Sequence, residues 1–210
     1  MCFSATASFI ASGALTTLGV ATYMVARKKD KILVAIPLMF GVQQGFEGVQ
    51  WLYLNRGSSS PFAGYGFLFF ALIVWPVYVP AFVWMLDKKR KKLLSVFVFL
   101  GAAVALYLLG LLLTQPLHIR ERTGCVNYTF NFTADWIVVP FYMLAIFGAL
   151  FFSSRPIFRW FGVAILSLSL FSWGLYYRNF ISVWCFFAAV VSSMFFLYIQ
   201  RKRSVRFQPP

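Results

Sequence analysis

A carboxylate and three carboxamides occur together inside an apolar stretch of the chain, Phe40-Gly-Val-Gln-Gln-Gly-Phe-Glu-Gly-Val-Gln-Trp51. At 3.6 residues per turn, Gln43, Glu47 and Gln50 fall on one helical stripe, and Gln44 lies one step around the helix. An ionisable group within a membrane-embedded helix is costly unless it faces the protein interior or a water-filled cavity, so it marks a candidate functional site. The residues that we predict for a ligand-binding pocket are Glu47, Gln43, Gln44 and Trp51.

The same stripe also has a purely structural interpretation. Polar side chains often form hydrogen bonds between membrane helices, so Glu47 could simply fasten neighbouring helices together. Counted from Leu54, Glu47 lies roughly 10 Å inside its helix at a rise of 1.5 Å per residue. A pocket at this depth would open towards the outer side of the membrane.

The N-terminus carries a second group of candidates, of which Cys2 and Ser4 are closest to the predicted pocket. If the initiator methionine is removed, Cys2 has a thiolate and an amine that could act as nucleophile and base or as paired metal ligands. A disulfide with Cys125, an unreactive thiol and a functional thiol all stay open for Cys2. The ridge of small hydroxyl residues that starts here favours close helix packing and comprises Ser4, Ser8, Ser12 and Thr16.

The chain has a single histidine, His118, in its longest predicted outer loop. Together with Cys2, Glu47 and Asp135 it could bind Zn²⁺ or a redox metal, since such ions accept mixed sulfur, nitrogen and oxygen ligands. A solvated loop histidine and an aspartate that begins a helix are the alternatives. We expect no haem, retinal or nucleotide, because one histidine cannot form a bis-histidine haem site and the last apolar stretch has no lysine.

The composition places these candidates in a membrane protein. Of 210 residues, 61% are hydrophobic and 11% are charged, with a mean hydropathy of +0.78, whereas soluble domains are about a quarter charged. About 20 apolar residues cross a bilayer as a helix. We therefore predict an all-α bundle of seven transmembrane helices in a single domain, 1–210, with six spans as the alternative. The predicted spans are residues 5–25, 32–54, 64–86, 93–114, 136–152, 157–177 and 180–200.

The basic residues predict the orientation of this bundle. Fifteen Lys and Arg residues fall in alternate breaks and at the C-terminus, whereas four fall on the opposite side. Because cytoplasmic loops are rich in Lys and Arg, this asymmetry predicts an N-terminus outside and a C-terminus in the cytoplasm. The net charge of +14 is divided among these loops, so we expect the lipid bilayer as a partner and no nucleic acid.

Several motifs resemble an uncharacterised family of bacterial multi-pass membrane proteins. They are the opening Met-Cys-Phe-Ser-Ala-Thr-Ala-Ser-Phe, Pro37-Leu38, the run Gln43-Gln44-x-x-Glu47-Gly48-x-x-Trp51, and Trp75-Pro76. The resemblance implies a bacterial cytoplasmic membrane location and points to the residues already named, without supplying an activity.

The leading functional hypothesis is a protein that binds a small molecule or metal ion in an outward-facing pocket around Glu47. A proton-coupled transporter of small solutes, with Glu47 as the coupling site, is the second hypothesis. A membrane-embedded enzyme that uses Cys2 is the third.

Overall fold

Helices dominate the computed structural model, which describes residues 4–130 and 135–194. A π-helical segment, Phe69–Val74, joins α3 to α4, and short 3-10 turns precede α2 and α8 at Lys28–Asp30 and Tyr177–Asn179. The α-helices are α1 (Ala5–Val25), α2 (Lys31–Leu54), α3 (Pro61–Leu68), α4 (Trp75–Leu86), α5 (Lys91–Thr114), α6 (Asp135–Phe151), α7 (Pro156–Tyr176) and α8 (Phe180–Ser192).

Within the described residues, five helical stretches are long and apolar enough to cross a membrane, judged by length and composition. The fifth of them, Pro156–Ser192, comprises α7, the 3-10 turn and α8, and so includes the sixth predicted span and the first part of the seventh, residues 180–192. The apolar helix Trp136–Phe151 is shorter than these five. Long apolar helices of this kind indicate a membrane protein.

Local sequence accounts for several helix starts. The Ser4 hydroxyl accepts a hydrogen bond from the backbone N–H of Ala7 at 3.2 Å and so caps α1. Ser60 caps α3 in the same way, and Pro61 follows it at the first helical position. A serine cap satisfies a backbone donor that the helix leaves unpaired, and proline fits the first turn because it has no N–H to lose.

The π-helical segment has its origin in Pro76. The N–H of Trp75 bonds to the carbonyl of Phe70, five residues back, and Pro76 has no N–H to continue the pattern to Ala71. The Ala71 carbonyl instead accepts a hydrogen bond from the Tyr142 hydroxyl of α6, at 2.6 Å. A side chain from a neighbouring helix thus satisfies the backbone group that the proline leaves unpaired.

Small residues allow the first helices to pack closely. The Ser12 hydroxyl donates a hydrogen bond to the Gly41 carbonyl at 2.7 Å, and a Cβ at Gly41 would lie 3.2 Å from the Ser12 carbonyl oxygen. The hydroxyl ridge of α1 therefore packs against the glycine face of α2, as close packing predicted. Gly101 of α5 similarly lies against the carbonyl of Pro76, where an added Cβ would overlap the oxygen.

The predicted outer loop contains a β-hairpin, β1 (His118–Arg122) and β2 (Cys125–Thr129), which the sequence analysis did not foresee. Thr123 and Gly124 both have positive φ, 51° and 71°, as a two-residue hairpin turn requires. Val126 and Tyr128 alternate towards the helices and are buried, and the Tyr128 ring stacks on Phe67 at 4.9 Å. The strand thus covers one end of the helix bundle.

Two basic loops meet at Asp87, whose side chain is 1% exposed. Oδ1 accepts hydrogen bonds from the Lys89 N–H at 3.0 Å and the Ser154 hydroxyl at 2.7 Å. Oδ2 accepts from the Ser153 hydroxyl at 2.8 Å and the Ser154 N–H at 2.6 Å. Burial by itself would raise the pKa of Asp87, but these four hydrogen bonds lower it to about 2. The carboxylate thereby ties the α4–α5 connection to the α6–α7 connection.

Candidate functional site

The polar stripe of α2 is buried in the helix bundle. Gln43, Gln44, Glu47 and Gln50 are all 0% exposed, in agreement with the expectation that they avoid lipid. One Glu47 oxygen accepts a hydrogen bond from the Ser182 hydroxyl of α8. The other accepts from the Gln44 side-chain amide at 3.3 Å.

A second hydrogen bond connects the stripe to α4. The Trp75 indole N–H donates to Gln43 Oε1 at 2.8 Å, and its ring stacks on Phe40 at 3.9 Å between centroids. The Cys185 thiol of α8 lies beside Gln43. The α2 stripe therefore joins α4 and α8 through polar contacts in an otherwise apolar interior.

Several polar atoms around this stripe have no hydrogen-bond partner in the described structure. A buried donor or acceptor left in this state costs about 1–3 kcal/mol unless water or a ligand pairs with it. The unpaired atoms are Gln43 Nε2, Gln44 Oε1, both side-chain amide atoms of Gln50 and Trp51 Nε1 on α2, and Ser8 Oγ on α1. The buried polar groups of this region therefore include unpaired hydrogen-bond donors and unpaired acceptors.

A cavity of about 700 Å³ lies beside the stripe, between α6, α7 and α8. The π-helical segment, β2 and Leu108 of α5 also contribute to its wall. Pockets for small molecules commonly measure about 300–1,000 Å³. Most of the wall is apolar, with Leu72, Leu108, Phe147 and Leu166 among the residues that form it.

The cavity does not surround Glu47, in contrast to the predicted pocket. Gln43, Gln44, Glu47 and Trp51 are not among the described residues that line it. Ser182 does line it, so Glu47 lies directly behind this part of the wall. The physical reason is that α8 packs between the α2 stripe and the cavity.

Aromatic side chains shape the cavity wall near Ser182. The Trp184 ring stacks on Phe180 at 5.3 Å and meets the Tyr142 ring edge to face at 5.9 Å. Trp184 is 8% exposed, and its indole N–H has no hydrogen-bond partner among the described residues. Tyr142 also lines the cavity while it supports the Ala71 carbonyl. The unpaired Trp184 N–H and the π-helical segment thus border the same cavity.

The other predicted candidates lie elsewhere. Ser4 is the cap of α1, His118 is exposed on β1, and Asp135 is the first residue of α6. Cys2 lies outside the described residues. Within the described part of the chain, no three His, Cys, Asp or Glu side chains gather in a way that could hold a metal ion.

The two described cysteines are free thiols, and both are buried. Cys125 begins β2, where burial raises the pKa of its thiol. Cys185 lines the cavity one helical turn after Ser182. Neither thiol is placed as an exposed nucleophile.

Sequence reasoning missed Ser182, Tyr142 and Trp184 as site residues. Ser182 and Cys185 are three residues apart on one face of the last apolar stretch, and this pair of small polar residues was a usable signal. Tyr142 and Trp184 had no such signal, because aromatic residues are common throughout membrane helices.

The fold and site define a helical protein of membrane-spanning character, with a buried polar stripe next to a cavity. The chain belongs to DUF6629, a family of unknown function, whose model matches residues 1–209. This agrees with the expected membership of an uncharacterised family. No curated protein and no solved structure matches the chain.

Proposed function

We propose that this protein crosses a cytoplasmic membrane seven times, with its N-terminus outside and its C-terminus in the cytoplasm. The unequal distribution of Lys and Arg residues supports this orientation. Helices at each predicted span support the count, with the 3-10 turn at Tyr177–Asn179 separating the sixth from the seventh. α7 and α8 pack against each other, as two antiparallel spans would.

The function that we propose is the binding of an amphiphilic small molecule in the cavity between α6, α7 and α8. One observation carries the proposal: Ser182 forms part of the cavity wall and donates its hydroxyl hydrogen to the buried Glu47 carboxylate. Apolar pockets with a few placed polar groups are typical of small-molecule sites. A ligand with an apolar body and a hydrogen-bonding end fits such a wall.

In this proposal Glu47 is a positioning residue rather than a direct ligand contact. Its carboxylate orients the Ser182 hydroxyl, so that a lone pair of Ser182 Oγ is directed to an incoming donor. Gln44 holds the second carboxylate oxygen, and Gln43 is held by Trp75. The conspicuous α2 motif thus supports the binding wall from behind.

Photolabelling tests the proposal with a 16-carbon alcohol that carries a diazirine near its end. The protein is reconstituted in lipid nanodiscs, labelled, digested and analysed by mass spectrometry. Ser169, which is 5% exposed, lines the cavity, so Ser169→Phe should obstruct part of it and reduce labelling of α6–α8 peptides. Ser167 is exposed on the same helix and outside the lining, so Ser167→Phe serves as the matched control. Equal labelling of both variants would contradict the proposal.

A transporter is the second candidate, and the π-helical segment is the observation that favours it. Ala71 and Leu72 of this segment line the cavity, and helix irregularities often occur at functional sites and in the broken helices of transporters. Uptake of a radiolabelled small solute by proteoliposomes under a pH gradient distinguishes a transporter from a protein that only binds its ligand. Equal flux through Glu47→Gln and the unmodified protein would exclude Glu47 as a proton-coupling site.

The enzyme that uses Cys2 stays a prediction, because Cys2 lies outside the described residues. Intact-mass measurement tests its first requirement, which is removal of Met1. A bound metal ion at Cys2, Glu47, His118 and Asp135 likewise stays a prediction, and elemental analysis of the purified protein tests it.

A further inference from the structure

We propose that the cavity binds a phospholipid with an anionic headgroup, which pairs with Arg178 while one acyl chain lies between α6 and α7. This inference rests on the proposed function, because it requires the cavity to be a binding site. It adds the class of ligand, the direction in which the ligand lies and the residue that selects its headgroup.

The charged end of the cavity is held in place by the β-hairpin. Arg178 and Asn179 both line the cavity at the turn between α7 and α8. Asn127 of β2 donates a hydrogen bond to the Arg178 carbonyl. Asn179, which is 4% exposed, donates to the Arg122 carbonyl at 2.8 Å and to the Thr123 hydroxyl at 3.0 Å. These contacts fix the backbone that carries the Arg178 guanidinium.

Aromatic residues at the same end place it at the level of lipid headgroups. Trp136, Trp173 and Tyr177 line the cavity and are 75%, 59% and 68% exposed. Exposed Trp and Tyr side chains on membrane helices concentrate at the boundary between hydrocarbon and water. The charge of Arg178 therefore lies where a phosphate group of the outer leaflet would be.

The apolar part of the cavity has the length of one leaflet. Its lining extends from Leu166 of α7 to Arg178 in the turn that follows this helix, about 18 Å at 1.5 Å per residue. Half of a hydrocarbon core about 30 Å thick is about 15 Å. Val139 and Leu170 line the cavity and are also exposed on the outer surface of their helices, so the space opens sideways to the bilayer between α6 and α7.

Charge complementarity identifies the headgroup as anionic. Among the described residues that line the cavity, Arg178 is the one that carries a formal charge. Arginine pairs with phosphate through several N–H donors at once. The unpaired Trp184 N–H of the same wall offers a further donor for a lipid ester carbonyl. Both donors would be satisfied by one lipid molecule.

Competitive lipid binding, measured by native mass spectrometry, tests the inference. The purified protein is mixed with equal amounts of phosphatidylglycerol and phosphatidylcholine that have the same acyl chains. We expect the unmodified protein to retain phosphatidylglycerol about fivefold over phosphatidylcholine, and Arg178→Gln to lose this preference. Arg56 is an exposed arginine outside the cavity lining, and Arg56→Gln should keep the preference.

The outcomes separate this inference from the proposed function. If both lipids are retained equally, or if Arg178→Gln behaves like the unmodified protein, the anionic headgroup is wrong although cavity binding stands. If Ser169→Phe retains as much lipid as Ser167→Phe, the lipids lie elsewhere, and both the lipid site and the proposed function fail. If Ser169→Phe retains less lipid than Ser167→Phe, and Arg178→Gln no longer prefers phosphatidylglycerol, the results support both the proposed function and the anionic lipid site.

Discussion

Replacement of Asp87 by asparagine measures how strongly its hydrogen bonds hold the α4–α5 connection to the α6–α7 connection. Asparagine keeps the size of the side chain but replaces one oxygen by an NH₂ group, which cannot accept a hydrogen bond. Each carboxylate oxygen accepts one backbone N–H, from Lys89 at Oδ1 and from Ser154 at Oδ2. Either orientation of the carboxamide therefore leaves one of these backbone donors facing another donor.

The magnitude follows from the lowered pKa of Asp87. A pKa of about 2, against an ordinary value of 3.8, corresponds to at most about 2 kcal/mol of extra stability for the ionised, folded form at 1.36 kcal/mol per pKa unit, and solvent screening reduces this to about 1–2 kcal/mol. An unpaired buried donor costs about 1–3 kcal/mol, which agrees with this value. We expect Asp87→Asn to lower the free energy of unfolding by about 1–2 kcal/mol at pH 7.

The contribution of Asp87 should depend on pH in a defined direction. Because the pKa is lower in the folded protein, the stabilisation is fully present above the unfolded value of 3.8 and is lost as the pH falls towards 2. The difference in stability between the unmodified protein and Asp87→Asn should therefore narrow between pH 5 and pH 2. It should be constant between pH 5 and pH 7.

The assay is unfolding by sodium dodecyl sulfate in mixed detergent micelles, followed by far-ultraviolet circular dichroism. Glu121→Gln on β1 is the control, because Glu121 is exposed and a surface substitution should change stability by less than about 0.5 kcal/mol. If Asp87→Asn is as stable as this control at pH 7, or if its deficit persists unchanged at pH 2, the four hydrogen bonds do not stabilise the fold as argued.

Three further predictions test packing, the π-helical segment and thiol burial. Gly101→Ala should destabilise the protein by about 1–3 kcal/mol in the same assay, because its methyl group would overlap the Pro76 carbonyl. Gly110→Ala should be neutral or slightly stabilising, because no atom of the described residues lies within 4 Å of the added methyl group. Tyr142→Phe should cost about 1–3 kcal/mol because it leaves a buried carbonyl of the π-helical segment unpaired, and an unchanged unfolding midpoint would contradict this role. In a Cys2→Ser background, Cys125 should react slowly with iodoacetamide at pH 7, because burial raises the pKa of its thiol. The rate of alkylation should increase as the pH rises. Rapid alkylation of Cys125 at pH 7 would show that its thiol is not buried.

The sequence predicted the helical segments well because hydropathy is a local property. A run of about 20 apolar residues has few alternatives to a helix, since lipid cannot satisfy backbone groups. The burial of Gln43, Gln44, Glu47 and Gln50 was predictable for the same reason, and all four are fully buried. The hairpin was missed although Thr123-Gly124 between short alternating segments is a readable turn signal.

The site itself was only partly predictable because its contacts join distant parts of the chain. Ser182 and Glu47 are 135 residues apart, and Tyr142 and Ala71 are 71 apart. No local pattern specifies which serine of α8 reaches a given carboxylate of α2. The Asp87 contacts with Ser153 and Ser154, 66 and 67 residues away, were missed for this reason.

By itself, the sequence determined the class of protein and the burial of the polar α2 stripe, because both follow from the cost of placing polar groups in hydrocarbon. Only the tertiary structure decided where the cavity lies. The packing of α8 against α2 separates Glu47 from that cavity and makes Ser182 the point of contact between them. Which side chains meet across helices depends on the angles and heights at which those helices pack, and these are set by all the contacts of the bundle together.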